Sequence, residues 1–298
     1  MQLSVIVCTR NRARLIGPCL DSIERALTAA APVEAQIVVV DNGSTDDTAA
    51  TVAAWAAQAS FPVKLEYEPR PGIAGAHNRG FRAATGDLLV CTDDDCRLDA
   101  DYIRNLLAHD AQDDALVLRG GRVELGDATD LPLTIKTDSQ PQHWSRVLRS
   151  ARRENLGNCF HGCNVSMRRA LLDRVGFYDD VHFSTGAEDT DFIFRCYVAG
   201  ISIEYAPDLV VYHYHGRKTP AEGYSLFRNY MIHMGALYAK YLFKDPDLCR
   251  QIFWDLRNAG KELMTGRNTF IPAIGFSHRD RLRYNALGAL RYWCGRRI

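Results

Sequence analysis

The first 220 residues predict an α/β fold, a mostly parallel sheet flanked by helices. Residues 221–298 predict a helical C-terminal extension. Three observations carry this reading. Short β-branched runs alternate with amphipathic segments over the first hundred residues, the pattern of strand–helix–strand units. Those runs are apolar without alternation, so their strands are covered on both faces. From about Pro220 apolar residues recur at helical spacing: Phe227, Tyr230/Met231, Met234, Leu237/Tyr238 and Tyr241/Leu242.

In chain order, "LSVIVCT" is the first buried strand, and residues 12–30 follow with helical spacing of Leu15, Cys19/Leu20, Ile23 and Leu27. Residues 37–40 form a second strand. A turn at Asn42-Gly43-Ser44 leads to a helix over 46–57, with Ser44 or Thr45 as its expected cap. "VKLEYEP" is a third strand, "PGIAGAHNRGFRAATG" a loop entering a short helix, and "DLLVCTDD" a fourth strand. Beyond it come a helix at 101–109, a strand in "ALVLRGGRVEL", and a weakly periodic stretch, 126–158, read as a mobile or acceptor-facing loop. "FHGCNVSMRRALLDRVG" gives strand then helix. "AEDTDFIFRCYVAG" gives a helix opening on acids and ended by Gly200, and "ISIEYAPDLVVYHYHG" gives two short strands.

A length of 298 residues with 47% hydrophobic content suits one large domain, or one with a smaller extension. The zero formal charge argues against a nucleic-acid binder. The charge is uneven: residues from 221 onward carry 13 Lys/Arg against 6 Asp/Glu, leaving 23 against 30 in residues 1–220. An acidic body with a basic tail fits a metal-binding catalytic domain and a tail that meets phosphate-rich surfaces; a solvated helical face fits as well. The nine cysteines, several inside apolar runs, read as reduced buried thiols and a cytoplasmic setting. Cys159, His161 and Cys163 would need further ligands for a zinc site, and none is obvious. No run approaches the roughly 18 apolar residues of a membrane span, so any membrane contact is expected to be peripheral, at the inner face of the cell membrane.

In parallel sheets ligands gather at the carboxyl ends of strands. Three tips there are polar: Thr9-Arg10, Asp41-Asn42 and Asp93-Asp94-Asp95. Stacked carboxylates repel, and a strand-end Asp-x-Asp turns two of them to one side, a site for a hard divalent cation that shares its coordination with substrate phosphates. An acidic helix cap is the competing reading. Glu188-Asp189-Thr190-Asp191 is a second acid cluster, able to cap a helix or to supply a general base. His213 and His215 share one strand face, where an imidazole suits a metal sphere or a satisfied buried position. The absence of G-x-G-x-x-G, of G-x-x-x-x-G-K-[ST] and of G-x-S-x-G argues against a dehydrogenase, a P-loop kinase and a nucleophile-elbow hydrolase.

Together, "VIVCTRNR", "IVVVDNGSTDDT", "GIAGAHNRGFRAATGD", "LVCTDDDC", "GCNVSMRRALLDRVGFYDD" and "GAEDTDFIFRCYVAGISIEYAPDLVVYHYHG" resemble the family 2 glycosyltransferases of the GT-A fold, over roughly residues 2–217. The resemblance implies a Rossmann-like catalytic domain over 1–220 and inverting transfer from a nucleoside-diphosphate sugar, usually a UDP-sugar, to an acceptor hydroxyl. It implies Mn²⁺ or Mg²⁺ as cofactor, and a saccharide or lipid-linked acceptor in surface polysaccharide or glycolipid synthesis. By likeness, Thr9 and Arg10 lie beside the nucleotide, Asp41 bonds the uracil, and Asn42 and Ser44 shape that pocket. Asp93 and Asp94 approach the donor, Asp93, Asp95 and His213 form the metal sphere, and Asp189 is the base with Glu188 the alternative. Gly162 and Asn164 match a segment lining the donor-sugar and acceptor side. Many members carry Ala-Arg-Asn where this chain has Ala76-His77-Asn78. Their arginine helps hold the nucleotide; Arg79 points elsewhere in an extended segment and partly compensates in a helical one. A nucleotidyltransferase, which usually has a Gly-rich phosphate loop, and a non-catalytic sugar-nucleotide binder are the alternatives. The segment "SLFRNYMIHMGALYAKYLFK", with Arg228, Lys240 and Lys244 and later Tyr292, Trp293, Arg296 and Arg297, reads either as a packed helix or as an interfacial one that meets a membrane.

Overall fold

The computed structural model describes residues 2–145, 159–242, 244, 246–266 and 269–295, with no account of the side chains of 246–251. The strands are β1 (Gln2–Thr9), β2 (Glu34–Asp41), β3 (Val63–Tyr67), β4 (Leu88–Asp93), β5 (Cys96–Leu98), β6 (Val117–Leu125), β7 (Gln142–Trp144), β8 (Asn164–Arg168) and β9 (Ser202–His213). They form one sheet in the order β3-β2-β1-β4-β8-β6-β9-β5, with β7 added on β9. β3, β2, β1 and β4 run parallel, which sets Thr9 opposite Asp41 and Cys8 opposite Asp93. The remainder is mixed: β8 runs antiparallel to β4 and β6, while β6 and β9 are parallel. The helices of the body are α1 (Ile16–Ala29), α2 (Thr48–Ala56), α3 (Ile73–Ala83), α4 (Tyr102–Asp110), α5 (Ala170–Val175) and α6 (Glu188–Val198).

The apolar runs behave as their composition dictates. Val5, Ile6, Val7 and Ile37–Val40 are wholly buried, with alternate residues entering separate clusters on the two sheet faces. On one face α1 presents Ile16, Cys19, Leu20, Ile23 and Leu27; on the other, Phe81 of α3 and Phe192 and Ile193 of α6 join Tyr178. Gly121 marks a register shift between β6 and β9, where a side chain would strike the Leu209 carbonyl. The "two short strands" at 201–216 are therefore one strand interrupted around Pro207-Asp208-Leu209.

Other departures have local causes. The helix expected at 46–57 starts at Thr48, and Ser44 does not cap it: its Oγ accepts the Asn11 N–H at 2.9 Å. Residues 126–145 are bound to the sheet edge. Val123 and Lys136 exchange backbone bonds, β7 pairs with β9, and the Tyr205 hydroxyl donates to the Asp138 carbonyl at 2.7 Å. The rest of the expected acceptor loop, 146–158, lies outside the described residues, as do Arg296 and Arg297.

The C-terminal helices are α7 (Pro220–Tyr241), α8 (Pro246–Thr265) and α9 (His278–Trp293). Thr219 and Glu222 close a capping box at the start of α7, and Ser277 and Asp280 close another at α9. Gly235 and Gly288 allow α7 and α9 to touch backbone to backbone. The apolar side of α7, including Ile232, Ala236, Leu237 and Tyr241, is buried, which decides for the packed helix. Asp191 of α6 ties it to the body: fully buried, it accepts from Lys240 Nζ at 2.6 Å, the Tyr241 hydroxyl at 2.7 Å and Arg195 Nε at 2.8 Å. Asp191→Ala leaves these donors without their shared anion, and a loss of about 3 kcal/mol is expected in urea unfolding. A loss no larger than that of a surface Asp→Ala would show that the α6–α7 anchor lies elsewhere.

Candidate active site

The β1 and β2 tips are laced together. Asn11 stands in the left-handed region at φ 54° and its Oδ1 accepts the Thr45 N–H at 2.8 Å, while the Arg12 N–H reaches Thr48 Oγ1 at 2.8 Å. Asp41 Oδ1 accepts the Ser44 N–H at 2.9 Å. The Asn42 amide donates to the Glu68 and Arg70 carbonyls at 3.1 and 2.7 Å and accepts from the Gly72 N–H at 2.8 Å. Asn42 therefore ties the β2 tip to the 68–72 loop through backbone contacts. Thr9 is buried and Arg10 is exposed.

At the β4 tip the three aspartates part. Asp93 and Asp95 bring carboxylate oxygens within metal-ligating range of each other, together with Cys96 Sγ. Asp94 lies 3.4 Å from Arg12 Nε. Burial, then the charge of Asp95, push the Asp93 carboxyl up to about 7, and burial pushes Asp94 up to about 6 against Thr9 and Arg12. Burial also raises Asp95, but the His213 hydrogen bond at 3.3 Å and the charges of His213, Arg12 and Arg217 outweigh it and hold the group below its ordinary value. Burial lowers the His213 imidazole, yet the Asp95 bond and the surrounding negative charge carry it up to about 9. A compact set of mutually repelling carboxylates beside an imidazole fits a hard divalent cation.

Arg12 and Arg217 are the cations around Asp95, and the sequence reading named neither. Arg12 stands two residues past the strand tip, an available signal; Arg217 follows the His213/His215 strand. The Cys159-His161-Cys163 segment, which lacks further zinc ligands in sequence, is split apart by the fold. Cys163 lies with Cys96 and His213, whereas Cys159 is in the core and His161 Nε2 donates to the Ile135 carbonyl at 3.2 Å. His215 is structural: Nε2 donates to the Leu131 carbonyl and Nδ1 accepts the Arg217 N–H.

The second acid cluster also divides. Asp189 Oδ2 accepts the Gly162 N–H at 3.1 Å, and Oδ1 accepts the Thr190 N–H at 2.6 Å. Gly162, which donates to it, adjoins Cys163 of the Cys96–Cys163–His213 group, so Asp189 borders the aspartate cluster and its charge acts on Asp93. Glu188 is buried with Oε2 unpartnered, and burial, then the charges of Asp189 and Asp93, push it well above the carboxylate range.

Four sequence candidates serve the scaffold. His77 is buried between Phe81 and Tyr178, its Nδ1 donates to the Ile73 carbonyl, and burial pulls it down to about 4, so it is neutral. Asn78 makes paired bonds of 2.9 Å to the backbone of Tyr178. The segment is helical, yet Arg79 turns to Glu66 of β3 at 2.7 Å, so the expected compensation for His77 is not in place. Asn164, fully buried, donates to the Arg122 and Leu209 carbonyls and accepts from the Tyr102 hydroxyl.

Residues 4–176 match the model of "Glycosyl transferase family 2". The chain is a member of that family. Its α/β sheet flanked by helices is that of GT-A structures. Among curated relatives, validoxylamine A glucosyltransferase of Streptomyces hygroscopicus subsp. limoneus is 25% identical over 283 residues, covering 87% of this chain and 60% of that protein. Lipopolysaccharide core biosynthesis glycosyltransferase LpsC of Rhizobium meliloti is 35% identical over 107 residues, 36% of each chain. The chain thus spans less than two thirds of those relatives' lengths. Of solved structures, the mannosyltransferase PcManGT from Pyrobaculum calidifontis, in complex with GDP-Man and Mn²⁺, has a TM-score of 0.61 at 22% identity, covering 98% of this chain and 86% of that one. S. aureus TarS 1-349 with UDP has a TM-score of 0.59 at 17% identity, covering 99% and 92%. These two likenesses speak for the fold. Among the described residues, no helix is long and apolar enough to cross a membrane.

Proposed function

We propose that this glycosyltransferase moves a sugar from a nucleoside-diphosphate donor, a UDP-sugar, to an acceptor hydroxyl with inversion at the anomeric carbon. The observation that carries the reading is the convergence of Asp93, Asp95 and His213 with Asp189 at one end of the sheet. The laced β1–β2 loops, with Thr9, Arg10, Asp41, Asn42 and Ser44, are the nucleotide side. TarS has been solved with UDP and UDP-GlcNAc and PcManGT with GDP-Man, which supports a nucleotide-sugar donor.

Asp93, Asp95 and His213 would hold a divalent cation, Mn²⁺ or Mg²⁺, which when bound supplies positive charge to the diphosphate. Arg12 sits where it adds a permanent cation. Asp189 accepts the proton of the attacking hydroxyl; its two N–H bonds fix its direction. Burial raises the Glu188 carboxyl well above its ordinary range, which favours Asp189 for that role. Inversion follows from a single in-line displacement without a covalent intermediate. The acceptor class, a saccharide or lipid-linked glycan of surface polysaccharide or glycolipid synthesis, is part of the same proposal, as are residues 1–220 acting as the catalytic unit with 221–298 as its extension.

Calorimetric titration with UDP and with GDP, in Mn²⁺ and in chelator, tests the donor side. Metal-dependent UDP binding, followed by UDP release from a UDP-sugar in the presence of an acceptor glycan, is expected. Binding of GDP in preference to UDP would overturn the uridine reading, and binding of neither would overturn the donor class.

A further inference from the structure

We propose that the outward face of α8 docks on a bilayer surface carrying anionic headgroups. The helix sits with its polar side inward. Asp255, Ala259 and Glu262 are buried, with Asp255 ion-paired to Arg281 of α9 at 3.2 Å and Glu262 accepting the Arg279 N–H at 3.2 Å. At 100° per residue, Phe253, Leu256, Gly260, Leu263 and Met264 fall on one contiguous arc away from those three. That arc is bare: Phe253 is 59% exposed, Leu256 56%, Leu263 69% and Met264 80%. Soluble helices bury the opposite face, so this one is built for a second apolar phase.

Charge selects the occupant. Arg257 and Lys261 border the arc, exposed, and the Arg257 guanidinium lies 5.0 Å from the Trp254 ring centroid, an aromatic–cation pair suited to a headgroup layer. On α9, Trp293 and Leu290 are exposed, with Arg279 and Arg283. The acids of α8 and α9 with described side chains are engaged, Asp280 in a capping box and Asp255 and Glu262 against α9; Glu222 caps the start of α7 at the surface. Among the described residues of α8 and α9, what remains outward is largely apolar and positive, complementary to an anionic bilayer. A second copy would bring the same positive rim and repel. The role given by the sequence reading to the α7 segment thus passes to α8, which that reading did not single out.

The full chain is tested by co-sedimentation with phosphatidylcholine vesicles, with and without phosphatidylglycerol. Binding to the anionic vesicles is expected. Phe253→Glu with Leu263→Glu should weaken it about ten-fold or more. Arg257→Gln with Lys261→Gln should weaken it by roughly five-fold per charge. Both pairs are at exposed positions, so thermal unfolding should match wild type; if the glutamate pair does not fold, the glutamine pair still decides. No binding, or equal binding by wild type and variants, overturns the proposal. So does a vesicle-free dimer in light scattering that the glutamate pair dissociates, which would make the face a contact between copies. The assay needs no turnover, so its failure leaves the transferase reading standing.

Discussion

Asp189→Asn is expected to lower sugar transfer by about 10³-fold, within the 10²–10⁴ that a positioned general base contributes, while UDP still binds in the presence of Mn²⁺. The amide preserves size and its one oxygen can still accept the Gly162 N–H, giving up the bond from the Thr190 N–H. It cannot take the hydroxyl proton. Because the loss is at the chemical step, kcat falls and the donor affinity changes little. Glu188→Gln is the control: burial already disfavours the charged form of Glu188, so a modest effect is expected there. Transfer by Asp189→Asn near the wild-type rate, or a larger collapse in Glu188→Gln, would move the base to Glu188.

What the sequence made legible was set by short-range pattern. The apolar runs at 3–9, 37–40 and 88–93 could only be covered strands, and each brought its polar tip to one end of the sheet. The strand-end Asp-x-Asp announced itself through like charge. Contacts made across long separations stayed hidden. Nothing near Cys96 indicates that Cys163 and His213 will be its neighbours, because antiparallel pairing of β5 with β9 decides it. Asn42, Asn78 and Asn164 look like ligand-binding amides, yet the first two are consumed by backbone groups 26–100 residues away and the third by two such carbonyls and the Tyr102 hydroxyl. His77 shows the same limit. Its place in an Ala-x-Asn segment suggested a cation, and burial against Tyr178 makes it neutral. In α8 the helical period was present, but which side faces the body followed from Arg281 of a later helix.

Asp93→Asn is expected to stabilise the chelated enzyme and abolish metal-dependent UDP binding. In the metal-free fold, burial and the neighbouring Asp95 push Asp93 up to about 7 from an ordinary value of 3.8. A carboxyl raised on folding opposes folding once it ionises. The penalty is absent below the unfolded pKa, grows between about pH 4 and pH 7, and is complete above the folded one. The shift corresponds to a few kcal/mol. In chelator the variant should therefore exceed wild type by roughly 1–3 kcal/mol in urea unfolding at pH 8, with the two converging near pH 4. Excess Mn²⁺ should raise wild type by mass action and leave the variant unmoved, closing or reversing the gap. A repulsion kept at a strand end against the interest of the empty fold is what a site selected for cation binding looks like. If chelated Asp93→Asn is no more stable than wild type at pH 8, or if it still binds UDP in a metal-dependent way, Asp93 neither carries that strain nor holds the ion.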